Sequence, residues 1–259
     1  MDSAQHSRDQ QKLFKQLAAE KAVTLVQSGM AVGLGTGSTA IFATRKIGEL
    51  LAHRDLKDIV AVATSQNTAE EARKLNIPMM DDSIPHPLDL TIDGADEVDP
   101  YFQLIKGGGG ALTREKIVAQ ASARVVIVVD ESKLSERLGT RFRLPVEVLN
   151  FGWRSQSQYI EALGASVSVR KHSDGTTFAT DSGNLILDCD FGPIADPRAL
   201  ALKLGGRAGI IEHGLFLGIA TDLVIAGENG LRHLQRPESL DPHANPGDSP
   251  GEDTRSLPG

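Results

Sequence analysis

FQLIKGGGGALTREKIVAQASARVVIVVD, residues 102–130, is the stretch that decides the fold. It reads as a strand (102–106), a glycine loop, a helix (113–122) and a strongly apolar strand (124–130). A strand as uniformly apolar as VVIVV suits a sheet covered on both faces. The alternation continues upstream. Residues 11–28 carry Leu13, Leu17, Val23 and Val26 among helix formers, and Gly29 is expected to end that helix. MAVGL (30–34), IVAVAT (59–64) and LDLTID (88–93) read as strands, with helices at 39–52 and 65–75. Strands alternating with helices predict a parallel sheet, in which ligands bind beyond the carboxyl ends of the strands.

The pattern changes after about residue 142. LPVEVLNF (144–151), ASVSVRKH (165–172), TFAT (177–180) and NLILDCDF (184–191) read as strands separated by Gly/Asp turns, and DPRALALKL (196–204) as a helix. GLFLGIATDLVIAG (214–227) is apolar enough to return to the first core. The expectation is α/β: a Rossmann-like parallel-sheet main domain (1–141 and 212–236) with a smaller, lid-like α+β domain (142–211). From Pro237 to Gly259 the chain is rich in Pro, Gly, Ser and acids, which predicts a disordered acidic tail.

The totals exclude several classes. The chain has 259 residues, 40% hydrophobic and 24% charged, with a net charge of −7 that disfavours nucleic acid as a partner. A single cysteine, Cys189, allows neither an intrachain disulfide nor a cysteine zinc site, and fits a reducing cytoplasm. The N-terminus lacks an apolar signal core, and no apolar run approaches the roughly 18 to 20 residues of a membrane span.

Four loops could carry chemistry. GLGTGSTA (33–40) joins a strand to a helix, so its backbone N–H groups and hydroxyls could bind an anion; the alternative is a tight turn with Ser38 or Thr39 as an N-cap. It is neither a P-loop nor a clean dinucleotide fingerprint. DLTIDGADEVD (89–99) places Asp93, Asp96, Glu97 and Asp99 after a buried strand, as a solvated turn, a metal site or a set of sugar-binding and proton-moving carboxylates. In KGGGGALTRE, the amides of Gly107 to Gly110 could face a developing oxyanion beside Lys106, with Glu115 as general base; otherwise this is a flexible loop before a helix-start Glu. Lys133, in VDESKLSERLG (129–139), is either a phosphate contact or a surface lysine. His213 and Cys189 read as structural, because no nucleophile elbow precedes His213.

These segments, taken together from about residue 12 to 232, closely resemble ribose-5-phosphate isomerase of the A type, DGADE and KGGG-ALTREK being its most specific elements. The resemblance implies interconversion of D-ribose 5-phosphate and D-ribulose 5-phosphate without metal or organic cofactor, by a homodimer or homotetramer. It implies Glu115 as base and Asp93, Asp96 and Lys106 as active-site groups. It adds a substrate-binding set of Gly35, Thr36, Gly37, Ser38, Thr39, Gly107, Gly108, Gly109, Lys133 and, at the N-terminus, Lys15. The family loop accepts Gly or Ala at the place of Gly110. A non-catalytic sugar-phosphate sensor on the same fold is the alternative, although no room exists for a helix-turn-helix domain. An amino-sugar phosphate deaminase or a CoA transferase on this fold fits the Lys106/Glu115 pair less well.

Overall fold

The computed structural model describes residues 2–80 and 87–237, with side chains described from Ser7 onward. The acidic segment 238–259 lies outside the described residues. Helix α1 (Asp2–Val23) leads into β1 (Ala31–Leu34), α2 (Ala40–Ala52), β2 (Val60–Ala63), α3 (Gln66–Lys74) and β3 (Leu90–Asp93). Two short strands, β4 (Glu97–Val98) and β5 (Leu104–Ile105), precede α4 (Leu112–Gln120) and β6 (Val125–Asp130). Then come β7 (Leu144–Val148), α5 (Trp153–Ala162), β8 (Ser166–Val169), β9 (Leu185–Asp190), α6 (Pro197–Gly205) and β10 (Ile210–His213). The chain closes with β11 (Leu215–Phe216), β12 (Asp222–Gly227) and β13 (Gly230–Gln235).

The main sheet has the order β13-β12-β6-β3-β1-β2. Its pairs are parallel except for the terminal β12–β13 hairpin. β3 and β6 are buried along their whole length, as the apolar run of β6 requires. From β1 the chain moves outward to β2 and then crosses to β3 on the other side, so the strand order reverses between β1 and β3. The crevice beyond their carboxyl ends is therefore the switch point of the sheet.

The smaller sheet, β10-β7-β9-β8, is antiparallel throughout. Its apolar cluster joins Val146, Ile160, Leu187 and Leu204 to Ile105, Leu138 and Leu215.

Several expectations change. Residues 102–106 do not join the parallel sheet: β5 pairs antiparallel with β4 and β11 in a separate three-stranded sheet. The cause is a tight reversal, in which Asp99 Oδ1 accepts the amides of Tyr101 and Gln103 and Phe102 takes a left-handed φ of 61°. Helix α1 starts earlier and ends earlier than 11–28. Its buried face is Ala18, Ala19, Ala22 and Val23, whereas Leu13 and Leu17 are exposed, so small residues and not the leucines set the helix–sheet approach. TFAT forms only isolated bridges, Lys171 with Thr177 and Ala179 with Leu185. The polar sequence of α5 and the exposed β13 carry too little apolar patterning to be read as elements.

Candidate active site

Two loops flank the switch point. Residues 35–39 leave β1 and residues 94–96 leave β3. Asp93, the last residue of β3, is buried, and its Oδ1 accepts the amides of Thr36 (3.1 Å) and Gly94 (2.7 Å), tying the two loops together. Thr39 occupies the N-cap position of α2 but makes no side-chain cap hydrogen bond, which leaves this helix N-terminus open to the cavity it lines. Behind Thr36 lies a cluster of hydroxyls that sequence reasoning missed: Thr36 Oγ1 is 2.7 Å from Thr64 Oγ1 and 2.8 Å from Ser65 Oγ. Ser65 caps α3, its hydroxyl accepting the amide of Thr68 at 3.2 Å, and nothing local in the sequence shows that it also reaches Thr36.

The three-stranded sheet supplies the other half of the site. Lys106 follows β5 and is held by its amide to Gly214 O at 2.9 Å. Its ammonium donates to Gly94 O (2.5 Å) and lies 3.0 Å from Asp93 Oδ2 and 3.4 Å from Glu115 Oε1. Glu115 stands in the first turn of α4, 4% exposed, and its Oε2 accepts no hydrogen bond among the described residues. Burial pushes the Glu115 carboxyl up to about 8; Lys106 opposes the rise, and Asp93 and Asp96 add to it. Burial alone would lower the Lys106 ammonium, but Asp93 and Glu115 overcome that and hold it up at about 12. The site thus keeps a permanent cation beside a carboxyl poised to exchange a proton near neutral pH.

Together these groups line a cavity of about 260 Å³ formed by Thr36, Gly37, Ser38, Thr39, Gly94, Ala95, Asp96, Lys106, Gly107, Gly108, Gly109, Glu115 and Lys133. It sits just below the usual size range for ligand sites, and its lining is mostly polar, as a small polar ligand needs. Lys15 reaches the rim, where its Nζ donates to Ser38 Oγ at 3.1 Å. Besides Lys15, two of the expected residues do not line it. Gly35 packs on Asp93, where a Cβ would come within 2.3 Å of Asp93 Oδ1. Asp93 itself sits one layer behind, in contact with Lys106.

The four glycines answer to several constraints, not only to a ligand. Gly107 has a φ of 105° and Gly110 a φ of 81°, both left-handed. A Cβ on Gly108 would meet Asp96 Oδ1 at 2.5 Å, and one on Gly110 would meet Phe178 Cζ at 2.3 Å. Only Gly109 has space around it. The alanine that the family loop accepts at Gly110 is therefore disfavoured in this chain. Gly110→Ala is expected to cost about 1–2 kcal/mol for the left-handed backbone and to displace Phe178. A melting curve matching that of the parent protein would contradict this.

The acidic loop divides its carboxylates among separate tasks. Glu97 is fully buried and accepts from Ser135 Oγ and from the amides of Gly139, Thr140, Arg141 and Phe142, pinning the crossover into β7. Asp99 serves its own turn. Among the described residues no group of three or more His, Cys, Asp or Glu is placed to hold a metal ion. His213 lies against Lys116 and Glu212 outside the cavity lining, and burial holds its ring down at about 4, hence neutral. Cys189 is buried in the smaller sheet.

A buried acid–base pair at the switch point of an α/β sheet, facing a small polar cavity with lysines at its rim, defines an enzyme that moves protons on a small anionic substrate. The family described as ribose 5-phosphate isomerase A (phosphoriboisomerase A) matches residues 60–230. Ribose-5-phosphate isomerase A of Chloroflexus aurantiacus is 58% identical over 220 residues, covering 85% of this chain and 92% of its own. Among solved structures, ribose 5-phosphate isomerase from Plasmodium falciparum superposes with a TM-score of 0.84 at 38% identity, over 86% of this chain and 98% of its own. A D-ribose-5-phosphate isomerase in complex with phospho-erythronic acid superposes at 0.83 with 34% identity and the same coverage. The chain belongs to the ribose-5-phosphate isomerase A family.

Proposed function

We propose that this chain interconverts D-ribose 5-phosphate and D-ribulose 5-phosphate, the aldose–ketose exchange of the non-oxidative pentose phosphate pathway, using its own side chains. The observation that carries the reading is the buried Lys106 ammonium, 3.0 Å from Asp93 and 3.4 Å from Glu115, with the second Glu115 oxygen unpartnered. In the open-chain aldose, C2 lies beside the C1 carbonyl. Glu115 takes the C2 proton, the electron pair forms the C1–C2 double bond, and negative charge moves to O1. The result is a cis-enediolate. Glu115 then returns its proton to C1 while the O2 proton passes to O1, giving the ketose. One carboxylate above both carbons serves both transfers. Lys106 and the loop amides face the oxygens where charge develops.

The ring must open first. Asp93, Asp96 and Lys106 are the active-site groups that the resemblance offers for that proton transfer. The Asp93 carboxylate lies behind Lys106, so in this conformation Asp96 and Lys106 are the groups on the cavity that meet the ring oxygens, and Asp93 sets the charge state of Lys106. Thr36 to Thr39, Lys133 and Lys15 surround the expected place of the phosphate, whose binding energy holds the reacting carbons in register. Lys133→Ala is expected to raise KM for the phosphorylated sugar about tenfold or more, as loss of a charge-assisted contact implies, with kcat little changed; an unchanged KM would make Lys133 a surface lysine. Turnover is expected to persist in EDTA, and a loss restored by Mg²⁺ or Mn²⁺ would return the acidic loop to a metal role.

The division into a main unit (1–141 and 212–236) and a smaller one (142–211) is part of this reading, supported by the separate antiparallel sheet β10-β7-β9-β8, whose apolar cluster packs on Ile105, Leu138 and Leu215 of the main unit. A homodimer or homotetramer is supported by apolar side chains left in solvent, Phe151 and Leu202 foremost, and sedimentation tests it. No described helix is long and apolar enough to cross a membrane, and a cytoplasmic place accords with the single, buried cysteine.

A further inference from the structure

The glycine loop has a weakness that its composition creates. A peptide unit between two glycines can rotate at little cost, since no side chain anchors it. If the loop amides are to face a developing oxyanion, something must hold those peptide planes. A planar trans peptide places its C=O and its N–H on opposite sides, so whatever grips the carbonyl aims the amide the other way.

Arg170, just beyond β8 in the smaller sheet, makes that grip. Its Nη1 donates to Gly107 O at 2.6 Å and to Gly108 O at 3.1 Å. The amides paired with those two carbonyls belong to Gly108 and Gly109, both lining the cavity, and Gly108 N–H donates to Asp96 Oδ2 at 2.7 Å on the side away from Arg170. The guanidinium is itself fixed. Nε donates to Asp188 Oδ2 at 3.0 Å, and Nη2 to Asp188 Oδ1, the bidentate fork that only arginine can make. Its side chain is 12% exposed, and it lies 5.8 Å from the Phe178 ring that covers Gly110. No part of it lines the cavity.

We propose that Arg170 is a positioning residue for the isomerisation: it locks the Gly107–Gly108 and Gly108–Gly109 peptides, so that the Gly108 N–H holds Asp96 in place and the Gly109 N–H faces the enediolate oxygens. The smaller unit thereby takes part in the chemistry through a backbone contact. This inference rests on the isomerase reading above, in which the loop amides stabilise the oxyanion.

The test compares the parent protein with Arg170→Met and Arg170→Lys. It measures kcat and KM for ribose 5-phosphate, the dissociation constant of phospho-erythronic acid, whose carboxylate presents anionic oxygens in place of the enediolate, and thermal melting. Arg170→Met is expected to lower kcat by roughly ten- to a hundredfold, in keeping with mispositioned oxyanion donors. Phospho-erythronic acid affinity is expected to fall by a similar factor while KM shifts less than about threefold. Arg170→Lys keeps the charge but cannot hold both carbonyls and the Asp188 fork, so it should lose kcat as well. A folded Arg170→Met with parental kcat and analogue affinity overturns the proposal, as does a loss confined to KM or to melting temperature. Should Arg170→Met fail to fold, Arg170→Lys decides alone: reduced kcat with unchanged KM supports the grip, and parental kcat overturns it. Absence of isomerase turnover in the parent protein would instead overturn the isomerase reading itself.

Discussion

Glu115→Gln is expected to abolish turnover, by at least the roughly 10²–10⁴-fold that a positioned general base contributes, while binding of ribose 5-phosphate measured by calorimetry changes little. Gln keeps the shape and can still accept from Lys106, but it cannot take a proton from carbon. The group is buried at the start of α4 with one oxygen unpartnered, whereas Asp96, the other carboxylate lining the cavity, is engaged by the amide of Gly108. The same burial sets the pH dependence. A carboxyl raised from 4.5 to about 8 is largely protonated at mildly acidic pH and inactive as a base. As pH rises through that value the anion forms, so kcat/KM is expected to climb with pH well above the ordinary carboxylate range. A limb ending near 4.5, or a Glu115→Gln protein that still turns over, would remove Glu115 from the role of base.

Lys106→Met is expected to act on two levels. Catalytically it removes the fixed cation beside the developing oxyanion, which is worth about 10²–10³ in kcat by analogy with the loss of one oxyanion donor. Structurally it leaves Asp93 and Glu115 facing each other in a buried site. Removing one partner of a buried ion pair typically costs about 3–5 kcal/mol, so a clear drop in melting temperature accompanies the kinetic loss. Loss of Lys106 also acts on Asp93. Its carboxyl is already raised by burial, opposed by Lys106 and by the amides of Thr36 and Gly94. Without Lys106 it rises further, and the Asp93/Glu115 pair is expected to keep its proton to still higher pH. Preserved kcat and melting temperature in Lys106→Met would contradict both arguments.

Much of this site was readable from the chain because its parts are local. GTGST follows a short apolar strand, DGAD follows another, and Glu115 opens a helix; each carries its position in its own neighbours. The parallel sheet was readable for the same reason, since VVIVV admits no exposed face. The strand reading of 102–106 misled because two apolar residues, Leu104 and Ile105, look alike in any sheet. What assigned them was Phe102 in the left-handed region and Asp99 capping its own turn, neither of which periodicity registers. The leucines of α1 misled similarly, since close packing on the sheet selects alanine over bulk. The contacts that were not legible are long in sequence. Arg170 to Gly107 spans 63 residues and Asp181 to the amide of Gln66 spans 115, and no local pattern announces either. The glycine run was legible as a constraint but not in its causes, which proved to be Asp96, Phe178 and backbone sign as much as a ligand.

The central claim is that this cavity isomerises ribose 5-phosphate by proton transfer through Glu115 without a metal. It is tested most directly by following ribose 5-phosphate conversion in the presence of EDTA with the parent protein and with Glu115→Gln. Rapid formation of ribulose 5-phosphate by the parent and none by Glu115→Gln is the predicted result. A parent protein that binds ribose 5-phosphate without converting it would contradict the account and leave a sugar-phosphate sensor in its place.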